Sequence, residues 1–279
     1  HLAADWVRYD KGRTKYWEIG NEHFGDWEAG YRIDLAANKD GQPEYTTGAL
    51  YAAHFKVFAD SMRKAANESG ATIFIGALMA DAESQPWQTN TYKTWNSGLF
   101  STINNTADFY VVHSYYTPYN TNSNASEILN SAEIVSQKMM AFVKKTMQDA
   151  GAVQKPVALD EWNIFATGSK QQVSHVNGMH SVLLLSEMLK NKYGMACRWD
   201  LANGWSNGDD HGMFSNGDEP GVSKSNPRPV FYHEYFYQKF LGDRVISSTV
   251  QNGTDIYACA SSYTSGQLAV AVVNKSATA

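Results

Sequence analysis

Short apolar runs that read as β-strands alternate along this chain with helical patterns, and this alternation limits the possible folds more than any other feature. The runs are nearly continuously apolar, and most are followed by a segment with apolar residues at helical spacing. Five strands are predicted, at residues 15–20, 71–79, 108–115, 155–161 and 194–201. A helix is predicted over residues 45–69, with Gly70 as its stop, and a polar loop with Trp87 and Trp95 is predicted after the second strand. The pattern predicts an α/β fold with a parallel sheet covered by helices, which an open doubly wound sheet or a β/α barrel would both satisfy.

Two features favour the barrel over the open sheet. No glycine-rich phosphate loop follows any predicted strand, which weakens the nucleotide-binding form of the open sheet. Polar and aromatic residues instead collect where the strands end, as they do at the active-site face of a barrel. These strand-end groups are Asn21-Glu22, His113–Tyr115, Glu161-Trp162 and Trp199-Asp200.

The sequence pattern changes near Gly242. Three β-rich runs follow, separated by Asn252-Gly253 and Ser265-Gly266, which are hairpin signals. We therefore predict two domains. Residues 1–242 are predicted to belong to the barrel, and residues 243–279 to begin a β-sandwich.

Charge and hydropathy argue against two classes of function. The 279 residues carry a formal net charge of −5, which does not suit a protein held to nucleic acid by phosphate contacts. No apolar run approaches the roughly 18 residues that span a bilayer, so neither a nucleic acid nor a membrane is a predicted partner. Aromatic residues make up 13% of the chain, which suits either an aromatic core or stacking against the apolar faces of sugars.

Two segments each place a glutamate at the end of a short strand, close to a tryptophan. They are YWEIGNEHFGDW, with Glu22, and VALDEWNIF, with Glu161. Cleaving a glycosidic bond with retention requires two carboxyl groups about 5–5.5 Å apart, one to protonate the leaving oxygen and one to attack the anomeric carbon. A single glutamate in such a place more often caps a strand or forms an ion pair. Two glutamates in matching contexts favour a catalytic pair of carboxyl groups.

The motifs WEIGNE and LDEWN resemble those of the large clan of retaining glycoside hydrolases with a β/α barrel. LDEWN followed by Ile-Phe is most similar to the family 51 α-L-arabinofuranosidases. The resemblance extends from about Ala3 to the end of the chain. It implies a (β/α)8 TIM barrel of which this chain holds only strands four to eight.

The resemblance also implies roles for three residues in these motifs. Asn21 would hold the 2-hydroxyl of the sugar, Glu22 would be the general acid/base, and Glu161 would be the nucleophile. Because a general acid must start protonated, we expect the surroundings of Glu22 to raise its pKa. The Asn-Glu pair would follow the fourth strand of the barrel and the nucleophile would follow the seventh.

Further residues are implied to shape the sugar site. His113 and Tyr115 lie in HSYY, which is similar to the sixth-strand segment that positions the nucleophile. Trp199 lies in CRWD, which is similar to the eighth strand, and it is either a sugar platform or a core residue. Three more residues are candidates to line the cleft: His23, Trp27 and Trp162.

The resemblance predicts a carbohydrate substrate and leaves strands one to three of the barrel unaccounted for. A half barrel exposes an apolar edge. We therefore expect the missing half on a longer polypeptide or on another chain, and a homo-oligomer is possible. No metal or cofactor is predicted. The Asn203–Pro220 loop contains several Asp residues, but its spacing is not that of an EF-hand, so it is predicted to be a solvated loop.

The best-matched function is an α-L-arabinofuranosidase acting on a plant or algal polysaccharide. Alternatives within the clan are a β-agarase, a xylosidase, a glucuronidase and an endoglucanase. A metal-dependent barrel hydrolase would require several His and carboxylate residues at strand ends, where only His113 is found. A non-catalytic carbohydrate-binding barrel should have lost one of the two glutamates, and both are present.

Overall fold

The computed structural model describes residues 2–166 and 168–276. The chain divides into two compact units, His1–His113 with Ala141–Leu159, and Ser114–Met140 with Asp160–Ala279. No helix among the described residues has the length and apolar character needed to cross a membrane. In chain order the elements are α1 (Leu2–Asp10), β1 (Tyr16–Ile19), α2 (Gly48–Ser69), β2 (Phe74–Leu78), α3 (Asn90–Ile103), β3 (Phe109–Tyr115), α4 (Ala125–Asp149), β4 (Val157–Asn163), α5 (His175–Lys190), β5 (Met195–Arg198), β6 (Ala202–Asn203), β7 (Phe214–Ser215), α6 (Pro229–Phe240), β8 (Arg244–Ile246), β9 (Ile256–Ser262) and β10 (Leu268–Asn274).

Parallel strands form the main sheet. The strand order is β1-β2-β3-β4 in the first unit and β3-β4-β5 in the second. Strands β3 and β4 appear in both orders because each contributes residues to both units. β1 pairs with β2 in parallel, and so does β2 with β3. All five predicted strands are present in the predicted order, so the prediction of an α/β fold with a parallel sheet is confirmed.

Helix α2 forms where the sequence predicts a helix, and both of its ends are capped. The Thr47 side chain accepts a hydrogen bond from the Leu50 N–H at the first turn. At the other end Gly70 is left-handed, with φ +67°, and its N–H bonds to the carbonyl groups of Ala66 and Asn67. Only glycine adopts this conformation without strain, which explains why the helix stops there.

Helix α3 contradicts the sequence-based interpretation, which assigned this region, with Trp95, to a polar loop. Small polar residues dominate the segment, but Thr91, Trp95, Leu99 and Ile103 recur every four residues, and all are buried. That narrow stripe is enough to pack a helix against α2. The Trp95 indole also donates to the Leu78 carbonyl 3.1 Å away, which fixes the helix over the end of β2.

Helices α2 and α3 approach each other through glycine. A methyl group on Gly48 would lie 2.0 Å from the Trp95 carbonyl oxygen, and one on Gly98 would lie 2.7 Å from the Ala49 nitrogen. Both neighbours are backbone atoms, which cannot move aside as a flexible side chain can.

We expect Gly48→Ala to lower the free energy of unfolding by about 1–3 kcal/mol, because the two helices must shift to admit the methyl group. Urea unfolding monitored by circular dichroism measures the change. Ser97→Ala, at an exposed position of α3, is the control and should change stability by no more than about 0.5 kcal/mol. A Gly48→Ala protein as stable as the wild type would contradict the close packing.

A tyrosine hydroxyl takes one place in the hydrogen-bond ladder between β1 and β2. Ordinary pairing extends as far as Ile19 opposite Ala77. Beyond that, the Tyr51 hydroxyl donates to the Ile19 carbonyl at 2.6 Å and accepts from the Leu78 N–H at 2.9 Å. Tyr51 is buried, and burial raises the pKa of its hydroxyl, so it stays neutral and can both donate and accept.

The last three strands form an antiparallel sheet in the order β10-β9-β8. The sheet packs on α5, where the Tyr257 hydroxyl donates to Glu187 Oε1 at 2.7 Å and Lys190 Nζ donates to the Ala258 carbonyl at 3.1 Å. The predicted domain boundary near Gly242, and the prediction that this sheet begins a β-sandwich, stay predictions.

Candidate active site

Glu22 lies in a tight turn that follows β1. Gly20 has φ +86°, and a methyl group there would lie 2.9 Å from the His23 ring. Glu22 itself has φ +41°, a conformation that is strained for any residue with a side chain and is enriched at functional sites. The Gly25 N–H closes the turn by donating to the Glu22 carbonyl at 2.7 Å.

Both oxygens of the Glu22 carboxylate have side-chain partners. His113 Nδ1 lies 2.9 Å from Oε1, and Trp27 Nε1 donates to Oε2 at 2.6 Å. The side chains of Glu22 and His113 are 15% and 3% exposed. This carboxylate is therefore held in one orientation at the edge of solvent.

The register of the sheet explains how His113 reaches the β1 side. Glu18 pairs with Gly76, and Gly76 pairs with Phe109, so these positions share one face of the sheet with His113, four residues beyond Phe109. Gly76 has no side chain, and the Phe109 ring and a Val111 methyl group take up the space above it, within 3 Å of where a methyl group on Gly76 would lie. On this shared face, His113 Nε2 lies 3.8 Å from Glu18 Oε1. Sequence reasoning assigned His113 to the nucleophile and missed its contact with Glu22.

The surroundings of Glu22 favour its ionised form. Burial raises the pKa of the carboxyl, but the hydrogen bonds from His113 and Trp27, together with the charge of His113, hold that pKa below its ordinary value. The expectation that its surroundings raise the pKa is therefore wrong. The two donors outweigh the desolvation.

We expect Trp27→Phe to raise the pKa of Glu22, because the change removes a donor that stabilises the carboxylate. A carbon-13 NMR titration of the glutamate side chains measures the shift directly. Trp6→Phe is a matched control, since Trp6 is an exposed tryptophan on α1. An unchanged Glu22 titration in Trp27→Phe would show that the hydrogen bond is not formed in solution.

Glu161 lies near the end of β4 and accepts a hydrogen bond from Tyr115, as predicted. The Tyr115 hydroxyl is 2.7 Å from Glu161 Oε1. The tyrosine ring stacks on Phe165, with centroids 4.3 Å apart and planes 15° from parallel. It also meets the edge of His211 at a centroid distance of 5.4 Å. Packing on two sides therefore fixes the donor that reaches this carboxylate.

Phe165 and His211 were not predicted as site residues. Thr117 Oγ1 accepts from the Phe165 N–H at 2.7 Å and donates to the Phe165 carbonyl at 3.0 Å, which fixes the backbone that carries the ring. Burial, with the charge of Arg198, lowers the pKa of His211 to about 4, so this ring is neutral near pH 7. Phe165 is the last residue of the VALDEWNIF motif, and this position is the sequence signal that could have identified it as a site residue.

Trp162 does not fit its predicted place in a sugar cleft, and this prediction is corrected. The side chain is 1% exposed. It follows Glu161 in a strand, and successive strand residues point to opposite faces. Its carbonyl accepts the Trp199 N–H at 3.1 Å, which joins the ends of β4 and β5.

The remaining predicted contacts are at least partly accessible. Asn21 is exposed, and Trp27 and Trp199 are 63% and 45% exposed. His23 is half-buried, and burial together with the nearby His54 lowers its pKa. Their roles as sugar contacts stay predictions.

The Asn203–Pro220 loop is not a solvated loop throughout, which corrects the sequence-based interpretation. Asp210 and Glu219 are buried and both accept hydrogen bonds from the Arg228 guanidinium. Arg228 therefore neutralises two of the loop's carboxylates. The loop backbone also places His211 against Tyr115.

Several solved structures with a similar fold are glycoside hydrolases. No protein-family model matches the chain, and no curated protein matches it in sequence. Structural matches nevertheless include members of glycoside hydrolase families 51, 39 and 44. The predicted likeness to this group is confirmed at the level of the fold.

The α-L-arabinofuranosidase from Thermotoga maritima, solved with arabinose, matches with a TM-score of 0.68 at 19% identity over 98% of this chain and 58% of its own. A family 51 α-L-arabinofuranosidase from Bifidobacterium longum matches with a TM-score of 0.61 at 15% identity over 95% and 54%. A family 44 xyloglucanase from Paenibacillus polymyxa matches with a TM-score of 0.58 at 12% identity over 98% and 58%. This chain thus spans a little over half the length of these proteins.

Proposed function

We propose that this chain carries the catalytic carboxylates of a retaining glycoside hydrolase, with Glu22 as general acid/base and Glu161 as nucleophile. One observation carries the proposal. Each of the two motif glutamates lies at or just beyond the end of a parallel strand, where side-chain donors orient its carboxylate. The likeness in fold to glycoside hydrolases supports the same assignment.

In the first half of the reaction Glu161 attacks the anomeric carbon. A bond forms between that carbon and a Glu161 oxygen, the bond to the leaving oxygen breaks, and Glu22 gives its proton to that oxygen. Tyr115 donates to Glu161 Oε1, which stabilises the carboxylate before attack and holds the group in place.

In the second half Glu22 takes a proton from water, the water oxygen bonds to the anomeric carbon, and Glu161 leaves as a carboxylate. The lowered pKa of Glu22 in the free protein suits the ionised form that this residue has at the end of the first half, after it has given up its proton. For the first half it must be protonated. At the separation of about 5–5.5 Å that this mechanism requires, the negative charge of an ionised Glu161 acts in that direction, and so does the exclusion of water by substrate.

This mechanism fixes a distance. The carboxyl groups of Glu22 and Glu161 are expected to lie about 5–5.5 Å apart in a crystal structure with a bound sugar. A separation near 9 Å would indicate inversion of configuration, because that spacing leaves room for a water molecule.

The proposed substrate is an α-L-arabinofuranoside of a plant or algal polysaccharide. Support comes from the LDEWN motif followed by Ile164 and Phe165, and from structural neighbours described as arabinofuranosidases. The neighbours described as xylosidases and as a xyloglucanase favour a second candidate, a xylosidase or a related glycosidase of the same clan.

A trapping experiment tests the proposed function. The purified protein is incubated with dinitrophenyl 2-deoxy-2-fluoro glycosides of arabinofuranose and xylose, and its peptides are analysed by mass spectrometry. We expect one fluoroglycosyl group on Glu161, because only a working nucleophile forms a covalent intermediate. A label on Glu22 would exchange the two roles. No label with either probe, together with no cleavage of the parent glycosides, would reject the function.

A further inference from the structure

A small cleft beside Glu22 is lined by aromatic residues that the catalytic roles above do not use. It has a volume of about 80 Å³, and its lining includes Phe24, Trp27, Trp87 and Tyr92. Trp27 and Trp87 are both largely exposed, so the cleft is an open depression in the surface and not an enclosed chamber. It is suited to receive one face of a ring that stays largely in solvent.

Trp27 connects this cleft to the candidate acid/base. Its indole N–H donates to Glu22 Oε2 at 2.6 Å, while its side chain is 63% exposed. Underneath, the edge of the ring meets Phe24, with centroids 6.5 Å apart. A methyl group on Gly25 would lie 2.4 Å from the indole, so glycine at this position allows the ring to lie flat over the turn.

Trp87 provides the second exposed indole, in the segment between β2 and α3. It is 79% exposed, so its ring is accessible to a ligand. The backbone around it is held in place. The Gln85 N–H donates to Gln88 Oε1 at 2.7 Å, and Lys93 Nζ donates to the Pro86 carbonyl at 2.8 Å.

The floor of the cleft is rigid and its rim is polar. Phe24 packs edge-on against Tyr92 and Trp95, with centroid distances of 5.0 and 5.6 Å. The Tyr92 hydroxyl donates to Asp81 at 3.1 Å. Burial, with the charges of Asp81 and Glu22, raises the pKa of Tyr92, which places this phenol within the electrostatic reach of Glu22. Gln88 and the exposed Asp26 also line the cleft and offer groups that can bond to sugar hydroxyls.

We propose that Trp87 and Trp27 form a leaving-group subsite, which stacks against the sugar unit attached through the oxygen that Glu22 protonates. The inference rests on the proposed function. An acid/base residue contacts the leaving oxygen, so the next surface beside its carboxylate meets the departing part of the substrate. The ligand class is an oligosaccharide of neutral pentose or hexose units, whose apolar C–H faces stack on indole rings.

The test compares two substrates of the same sugar, one with a sugar leaving group and one without. Trisaccharides of arabinose and xylose are screened with the wild-type protein, and the one cleaved faster is paired with the corresponding glycosyl fluoride. We expect Trp87→Ala to lower kcat/KM for the trisaccharide about tenfold, the effect of one lost stacking contact. The rate with the fluoride should stay within about twofold, because fluoride does not reach the subsite. Trp87→Phe should retain most of the trisaccharide activity.

Trp6→Ala is the control for loss of an exposed tryptophan elsewhere. Equal losses with both substrates in Trp87→Ala would assign Trp87 a structural role, and no loss with either would remove the subsite. If the wild type cleaves neither trisaccharide nor fluoride, the proposed function fails, and calorimetric titration with the same trisaccharides then decides the inference alone. Binding that is lost in Trp87→Ala supports the subsite. Binding unchanged by the substitution, or no binding to the wild type, overturns it.

Discussion

Glu161→Gln is expected to abolish turnover of every glycoside that the wild-type protein cleaves. The amide cannot form the ester-linked intermediate on which double displacement depends. The substitution preserves shape, and the Tyr115 hydroxyl can still donate to the amide oxygen. The loss should therefore come from chemistry and not from folding. Rates with aryl glycosides measure the effect, and circular dichroism confirms that the fold is kept.

Two further variants sharpen this prediction. Glu133→Gln, at an exposed position of α4, makes the same chemical change elsewhere and should keep full activity. Glu161→Gly should regain turnover with azide, and the glycosyl azide should have the inverted configuration because azide takes the place of the nucleophile. Activity of Glu161→Gln close to that of the wild type would remove Glu161 from the mechanism.

Glu22→Gln is expected to produce a loss that depends on the leaving group. Substrates that leave as alkoxides require a proton and should slow by about 10²–10⁴-fold, the usual contribution of general acid catalysis. Dinitrophenyl glycosides should form the intermediate at nearly the normal rate, because dinitrophenolate departs without protonation. Their turnover should then rise when azide is added, since azide attacks the intermediate without help from a base.

The pH dependence gives an independent check on Glu22. A general acid works in its protonated form, so kcat/KM should fall as the pH rises through the Glu22 pKa. Glu22→Gln should remove that alkaline limb. Trp27→Phe, which raises the Glu22 pKa, should move the limb to higher pH. Azide products of Glu22→Gln with inverted configuration would exchange the roles of the two glutamates.

The strands are well predicted from the sequence because buried strands are composed almost entirely of apolar residues. β2 and β3 are covered on both faces, so they read as continuous apolar runs at nearly their true positions. Helix α3 was missed because its apolar stripe is one residue wide and its other positions are mostly Asn, Ser, Thr or Gly. The packing partner, α2, supplies the missing stabilisation, and sequence periodicity alone does not reveal a partner.

The candidate site was predictable where it depends on the motifs and unpredictable where it depends on strand register. Glu22, Glu161 and the Tyr115 contact follow from local sequence. The His113 contact with Glu22 depends on how β1, β2 and β3 pair, and that register becomes visible only in the structure. The burial of Trp162 could have been foreseen, because it adjoins Glu161 in a strand and the two must point to opposite faces.

The position of Tyr51 has a consequence for where the sheet ends. A ladder of backbone bonds tends to continue, and the next bond would join Ile19 to Leu78 directly. The Tyr51 hydroxyl oxygen lies between them, so the Ile19 carbonyl and the Leu78 N–H are too far apart to bond directly. Each of these two backbone groups still has a hydrogen-bond partner. The chain after Ile19 is thereby released from the direction of β2 and can turn sharply into Glu22. Tyr51, a helix residue 32 positions from Ile19 in sequence, therefore ends the pairing of β1 with β2 just before the turn that carries Glu22.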